Sequence, residues 1–248
     1  MSFVLHQLRF EQRIFWRSRE AAVFIFIFPL LLYALLASVY STDIDGRPSA
    51  DVLLAGLFSY GAANTAFAGL AIILVGRREV GILKRLRATP LPSSAYLSAV
   101  LLSTLATFAL QAVALLALSR VAFGADMPQN MLGFVGAIVV GVVCFAGLGV
   151  GAAALIRSAE GVSAVVNVVL LPMAFLSGSF GPTRHYPPVL QAIADVLPLT
   201  YFVRIVNRVV LEGGSIFAEP WQLAILVAWG AAGLLVALRW FGWMPRSQ

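Results

Sequence analysis

Charge is what this 248-residue chain has least of. Asp, Glu, Lys and Arg make up 11% of it, against about 25% in an ordinary soluble domain. With 60% hydrophobic residues and a mean hydropathy of +0.92, the chain reads as a polytopic membrane protein. There is one cysteine, Cys144, inside an apolar run; this excludes an intrachain disulfide and a cysteine metal cluster. The two histidines, His6 and His185, lie too far apart in sequence to support a metal site. No G-x-x-x-x-G-K-[ST] phosphate loop occurs, so the chain does not bind ATP by that route. The isoelectric point near 10.1 does not point to nucleic acid, because the basic residues sit at the ends of apolar runs rather than on a polar domain.

Long apolar runs are what the chain has in their place. A helix needs roughly 20 apolar residues to cross the hydrocarbon core. Six runs approach that length: Ala21–Tyr40, Val52–Val75, Ala95–Val121, Met131–Ile156, Val162–Leu176 with a polar extension, and Trp221–Phe241. The first begins only at Ala21 and is too long for a signal-peptide core, so it is expected to be retained as a span. With six alternating spans and an inside N-terminus, twelve basic residues fall inside: Arg9, Arg13, Arg17, Arg19, Arg77, Arg78, Lys84, Arg85, Arg87, Arg157, Arg239 and Arg246. Five fall outside: Arg47, Arg120, Arg184, Arg204 and Arg208. The excess predicts both termini in the cytoplasm. Gly147 and Gly151, four apart in the fourth run, are in a register for close helix contact and read as bundle packing.

Three polar segments interrupt this pattern. In residues 1–20, His6, Arg9, Arg13 and Arg17 share one helical face, while Phe3, Phe10 and Ile14 form an apolar stripe. That pattern predicts an interfacial helix with arginines among lipid headgroups; the plainer reading is a basic flank that orients the first span. Residues 75–92, VGRREVGILKRLRATPLP, hold five of the 17 basic residues between two apolar runs. A helix is predicted over 76–89, stopped by Pro90 and Pro92. Arg77, Arg78, Lys84 and Arg85 make a basic arc, and Val80, Ile82, Leu83 and Leu86 an apolar arc that also contains Glu79 and Arg87. An anchor for topology and a docking element for a soluble protein both fit; charges within the apolar arc favour a protein groove over a lipid surface. Residues 177–200 contain a polar turn, Ser177–Gly181, then Pro182, Pro187 and Pro188, a short apolar helix VLQAIADVL, and Pro198. That helix is too short to cross. It either dips into the outer leaflet and returns or rests on the outer surface.

Two of these segments resemble a known family. Arg78-Glu79-Val80-Gly81-Ile82-Leu83-Lys84-Arg85-Leu86 with Thr89-Pro90-Leu91 resembles the first cytoplasmic loop of ABC type-2 export permeases. Phe175-Leu176-Ser177-Gly178 with Phe180, Pro182, Pro188 and Leu197-Pro198-Leu199-Thr200 resembles the family's segment between its fifth and sixth spans. The chain departs from the family pattern at Thr183-Arg184-His185-Tyr186.

The resemblance implies an all-α integral membrane protein of one transmembrane domain over 1–248, with six transmembrane helices, an N-terminal interfacial helix, a cytoplasmic coupling helix and a re-entrant external segment between helices 5 and 6. It implies a permease subunit in the plasma (inner) membrane that pairs with an identical or related permease and with two copies of a cytoplasmic ATP-binding cassette ATPase. ATP and magnesium would belong to that ATPase, and this chain would hold no cofactor. Arg78, Glu79, Gly81, Lys84 and Arg85 are then the expected ATPase-coupling residues, and Gly178, Pro182, Pro188 and Pro198 shape the external segment.

Ionisable residues are nearly absent from the spans. An ion-coupled carrier or proton pump needs them for coupling, so a drug, antibiotic, lipid or other amphipath is the expected cargo. Three neutral amides, Asn64, Gln111 and Asn167, lie in mid-span. Hydrogen bonding between helices is their first reading. In the resembling family the second and fifth spans face the dimer centre, which makes Asn64 and Asn167 the candidates for a translocation path. A polytopic membrane enzyme is the competing class; Glu160 beside Arg157 and Asp195 near His185 are its only loose candidates, and neither forms a catalytic constellation.

Overall fold

The structure, a computed structural model, describes residues 2–40, 43, 44, 46–89, 92–184, 186–242 and 244. Pro90, Leu91, His185 and Arg246, named above, lie outside them, as does the side chain of Phe3.

The described residues form an all-α membrane protein. Helix α1 (Ser2–Arg17) leads through a turn at Arg19–Ala21 into α2 (Ala22–Val39), the first of six helices long and apolar enough to cross a membrane. The others are α3 (Ser49–Glu79), α5 (Ser93–Phe123), α6 (Met131–Leu155), α7 (Ala159–Leu176) and α10 (Pro220–Trp240). Each coincides with one of the six expected runs. Between α3 and α5 lies the short α4 (Ile82–Arg87). Between α7 and α10 lie α8 (Pro188–Ala194) and α9 (Pro198–Leu211).

Helix α3 is the centre of the bundle, buried along most of its length. At 31 residues it is roughly 46 Å long, longer than a hydrocarbon core of about 30 Å is thick. Its wall is built from small residues. A Cβ on Gly56 would stand 2.4 Å from the Ser179 carbonyl oxygen, and one on Gly149 of α6 would stand 2.6 Å from the Ala66 carbonyl oxygen.

Helices α6 and α10 touch backbone to backbone. A Cβ on Gly147 would fall 2.4 Å from the Gly230 carbonyl oxygen, and one on Gly151 2.5 Å from that of Gly233. From the other side, a Cβ on Gly230 would meet the Cα of Cys144 at 2.8 Å. The four-residue glycine spacing is therefore packing, as the sequence indicated, and its partner is a second glycine pair on α10.

Helix α1 packs along α5 by a face the sequence did not single out. Glu11 and Phe15 are buried, and the Gln12 amide donates to the Ser103 carbonyl at 2.8 Å and to the Ser103 and Thr107 hydroxyls at 2.9 and 3.1 Å. His6, Arg9, Arg13 and Arg17 remain exposed on the opposite side. Phe10 and Ile14, the described part of the apolar stripe, are also exposed. The helix thus has three faces: docked, basic and apolar.

After α7 the chain makes two short helices rather than one. Pro198 follows the end of α8; proline at N1 is preset for helix and starts α9, which continues to Leu211. Leu199, Phe202, Ile205, Val206 and Val209 are buried and Arg204 is exposed, a 3.6-residue period. Helices α8 and α9 are bent by 83°. The corner is fastened by the Thr200 hydroxyl on the Ala194 carbonyl at 2.6 Å, the Tyr201 hydroxyl on the Asp195 carbonyl, and Arg204 on the Asp195 carboxylate at 2.6 Å.

Candidate functional site

The C-terminal end of α3 carries three consecutive charged residues, and each engages a different neighbour. The Arg77 guanidinium donates to both Glu11 oxygens, at 2.8 and 2.6 Å, and to the Tyr96 hydroxyl at 2.8 Å, joining α1 and α5. The Arg78 guanidinium donates to the carbonyls of Ala153 at 2.8 Å, Ile156, and Arg157 at 3.5 Å. These oxygens lie at the C-terminal end of α6, where a helix has carbonyls without intrahelical partners and favours a cation. The Glu79 carboxylate accepts from the amide of Ala159, the first residue of α7, where a helix favours an anion.

This arrangement corrects the expected coupling element. Residues 76–89 do not form one helix. Arg77 to Glu79 end α3, and Gly81 at φ 73° turns the chain before α4 begins. A left-handed residue interrupts α-helical geometry, and glycine adopts it without the Cβ penalty. The single basic arc drawn through Arg77, Arg78, Lys84 and Arg85 is therefore broken. Arg78, at 1% exposure, is not on a surface that a partner can touch, and Glu79 is engaged with α7 rather than lying in an apolar face.

What remains for a partner is α4 and the turn before it. Leu83 is fully buried and Leu86 half-buried, so they moor α4 to the bundle. Lys84, Arg85 and Arg87 are exposed, and so are the apolar Val80 and Ile82. The Thr89 hydroxyl donates to the Leu86 carbonyl at 2.6 Å and closes the C-terminal turn.

The mid-span amides divide. Both α2 and α3 contain a π-helical turn, at Ala22–Ile27 and Asn64–Gly69. Such turns take i→i+5 bonds and recur at functional sites. The Asn64 amide donates to the Phe24 carbonyl at 3.1 Å, and the Gln111 amide to the Ile25 carbonyl at 3.1 Å while accepting from the Thr65 hydroxyl at 3.0 Å. Gln111 and Asn64 therefore do what the packing reading expected. Asn167 is different: among the described residues it donates within its own helix, to the Ser163 carbonyl at 2.8 Å, and it is exposed.

Asn64 and Asn167 nevertheless meet at one cavity of about 590 Å³ between α2, α3 and α7. It runs from Ser18 and Glu20 at the start of α2 to Tyr60, Phe28 and Leu171, and is mostly apolar. The sequence brought these two asparagines together only through the family resemblance; no spacing rule links residues on different spans. Thr65 and Glu11 escaped the sequence reading. Glu11 had a signal, an acid placed among the arginines of α1.

At the opposite end of α7, Gly178 at φ 78° makes the turn after the helix, Pro188 and Pro198 open α8 and α9, and Pro182 lies in the connecting loop. Gly178 and Pro182 line a more polar cavity of about 430 Å³ beneath this segment, with Asp195, Thr200 and Arg204.

Residues 5–211 match the family described as ABC-2 type transporter. Two inner membrane transport permeases called YhhJ, from Escherichia coli (strain K12) and Shigella flexneri, are each 25% identical over 176 residues, covering 68% of this chain and 47% of theirs. The chain thus spans about half the length of the curated relatives it matches. With a family match over most of its length, six membrane helices and the two motif segments in place, this chain belongs to the ABC-2 type transporter family, the membrane components of ABC transporters.

Proposed function

We propose that this chain is the permease subunit of an ATP-driven exporter of drugs, antibiotics, lipids or other amphipaths, seated in the inner membrane with both termini cytoplasmic. The observation that carries the reading is α4: a short helix moored by Leu83, presenting Val80, Ile82, Lys84, Arg85 and Arg87 outward. Mixed apolar and basic groups on one short rigid element suit a protein groove. The partner is a cytoplasmic ATP-binding cassette ATPase in two copies, which supplies ATP and magnesium chemistry. A second permease copy or relative covers the exposed apolar faces of α2 and α7, including Phe24, Leu31, Val165 and Phe175. The cavity at Asn64 and Asn167 is the start of the cargo path, since its apolar walls and neutral amides fit an amphipath and offer no fixed charge to an ion at mid-span. His6, Arg9, Arg13 and Arg17 on α1 rest among inner-leaflet headgroups.

The test is charge reversal on α4. Lys84→Glu with Arg85→Glu leaves insertion and expression intact, abolishes co-purification of the ATPase, and uncouples ATP hydrolysis from export. Normal export by that variant at normal expression refutes the assignment.

A further inference from the structure

Arg78 and Glu79 sit next to each other at the end of α3, yet they hold the two ends of a single connection. The link from α6 to α7 is only residues 156–158. Arg78 binds the carbonyls on its α6 side and Glu79 the first amide on its α7 side. Ser158 occupies the N-cap of α7 with φ −117° and ψ 149°, but its side chain makes no capping bond. A serine there ordinarily caps its own helix. Here the capping carboxylate comes from a different span. Only Val80 and Gly81 separate Glu79 from α4.

We infer that Arg78 and Glu79 are positioning residues for transport: they carry displacement of α4 to the inner end of α7 by gripping the α6–α7 connection. This rests on the reading of α4 as the ATPase docking element. Docking and transmission are then separate tasks on adjacent residues. Val80, Ile82, Lys84, Arg85 and Arg87 receive the ATPase; the buried Arg78, and Glu79, which is exposed but holds its carboxylate on the Ala159 amide, fix what moves with α4. The target matters because α7 contributes Ser163, Asn167 and Leu171 to the cavity. A shift of the first turn of α7 alters that wall directly.

The cap and the link can be separated by mutation. Glu79→Ala removes both. Glu79→Ala with Ser158→Asp gives α7 a cap of its own, because residue 158 already has the extended backbone of an N-cap, but leaves the link to α3 cut. Spin labels are placed in full-length chain lacking Cys144 (Cys144→Ala), as two pairs: 88 with 238, reporting α4 from its exposed C-cap outside the docking residues, and 160 with 238, reporting α7. The chain is assembled with its ATPase in lipid nanodiscs, and distances are read before and after ATP with vanadate. In the parent both distances shift. In the double variant the 88–238 shift persists and the 160–238 shift is lost, and export per ATP hydrolysed falls at least tenfold with assembly retained. Glu79→Asp restores both. A 160–238 shift of parental size in the double variant overturns the inference, as does a parent in which 88–238 moves and 160–238 does not. A parent that captures no ATPase, or shows no 88–238 shift, refutes the docking reading itself, and the inference falls with it.

Discussion

The carboxylate of Glu11 and the guanidinium of Arg77 meet in a two-pronged ion pair, 2.6 and 2.8 Å, although 66 residues separate them. Both are largely buried, at 5% and 11% exposure, so the pair is the polar rivet between α1 and the bundle. Breaking one side of a buried pair strands the other charge, which costs about 3–5 kcal/mol. Glu11→Gln should therefore destabilise the chain by about 3 kcal/mol in reversible unfolding from mixed micelles. Glu11→Leu with Arg77→Met should recover most of that loss. Equal losses in the single and double variants would mean that the pair is not what binds α1.

The glycine seam makes a sharper prediction. Gly147→Ala or Gly151→Ala places a methyl within 2.5 Å of an α10 backbone oxygen, and no rotamer relieves a Cβ. The helices must separate, and overpacking of this kind costs about 1–3 kcal/mol. Gly76→Ala, with nothing within 4 Å of its Cβ, is the matched control and should be neutral or stabilising. Thermal midpoints of the three variants in detergent test the contrast.

Asn64 and Asn167 should part company when each is replaced by Val. Asn64 loses a bond to the α2 backbone, and interhelical hydrogen bonds in membranes contribute about 0.6 kcal/mol, with a ceiling near 1.7. Asn167 loses only a bond within its own helix and should be silent in unfolding. Export should instead follow exposure, with Asn167→Val, the exposed residue, changing the apparent affinity for cargo more than Asn64→Val does. Dose–response curves from a transport or resistance assay decide it.

Gly81 offers a test of conformation alone. A Cβ there meets nothing within 4 Å, but φ is +73°, and a β-branched residue in that region costs about 1–2 kcal/mol. Gly81→Val should tilt or unwind α4 and reduce ATPase stimulation, whereas Gly81→Asn, which tolerates the left-handed region, should retain most of it. ATP turnover of the assembled complex is the measurement.

The spans were legible because a membrane helix is written in hydropathy, and all six lie within a few residues of the apolar runs. Two features were legible only in part. The segment after Gly81 read as the continuation of a longer helix because Arg77, Arg78 and Lys84 fall on one arc; the positive φ of Gly81 is a backbone property that composition does not announce. Helix α9 was not singled out, although Leu199, Phe202, Val206 and Val209 keep helical period; Arg204 and Arg208 entered only the count of basic residues outside. The partners of Arg78 and Glu79 were not legible at all. Backbone carbonyls and amides carry no sequence signal, so a side chain that binds them looks the same as one that faces water.

The contact between α6 and α10 has a mechanical consequence. Two helices whose backbones touch have no side chains between them to change rotamer, and so no cushion along which to slide. They form a chassis. Any working stroke of this protein must be taken up elsewhere, by the helices that border cavities: α2 with its π-helical turn, and α7, attached to the chassis by three residues.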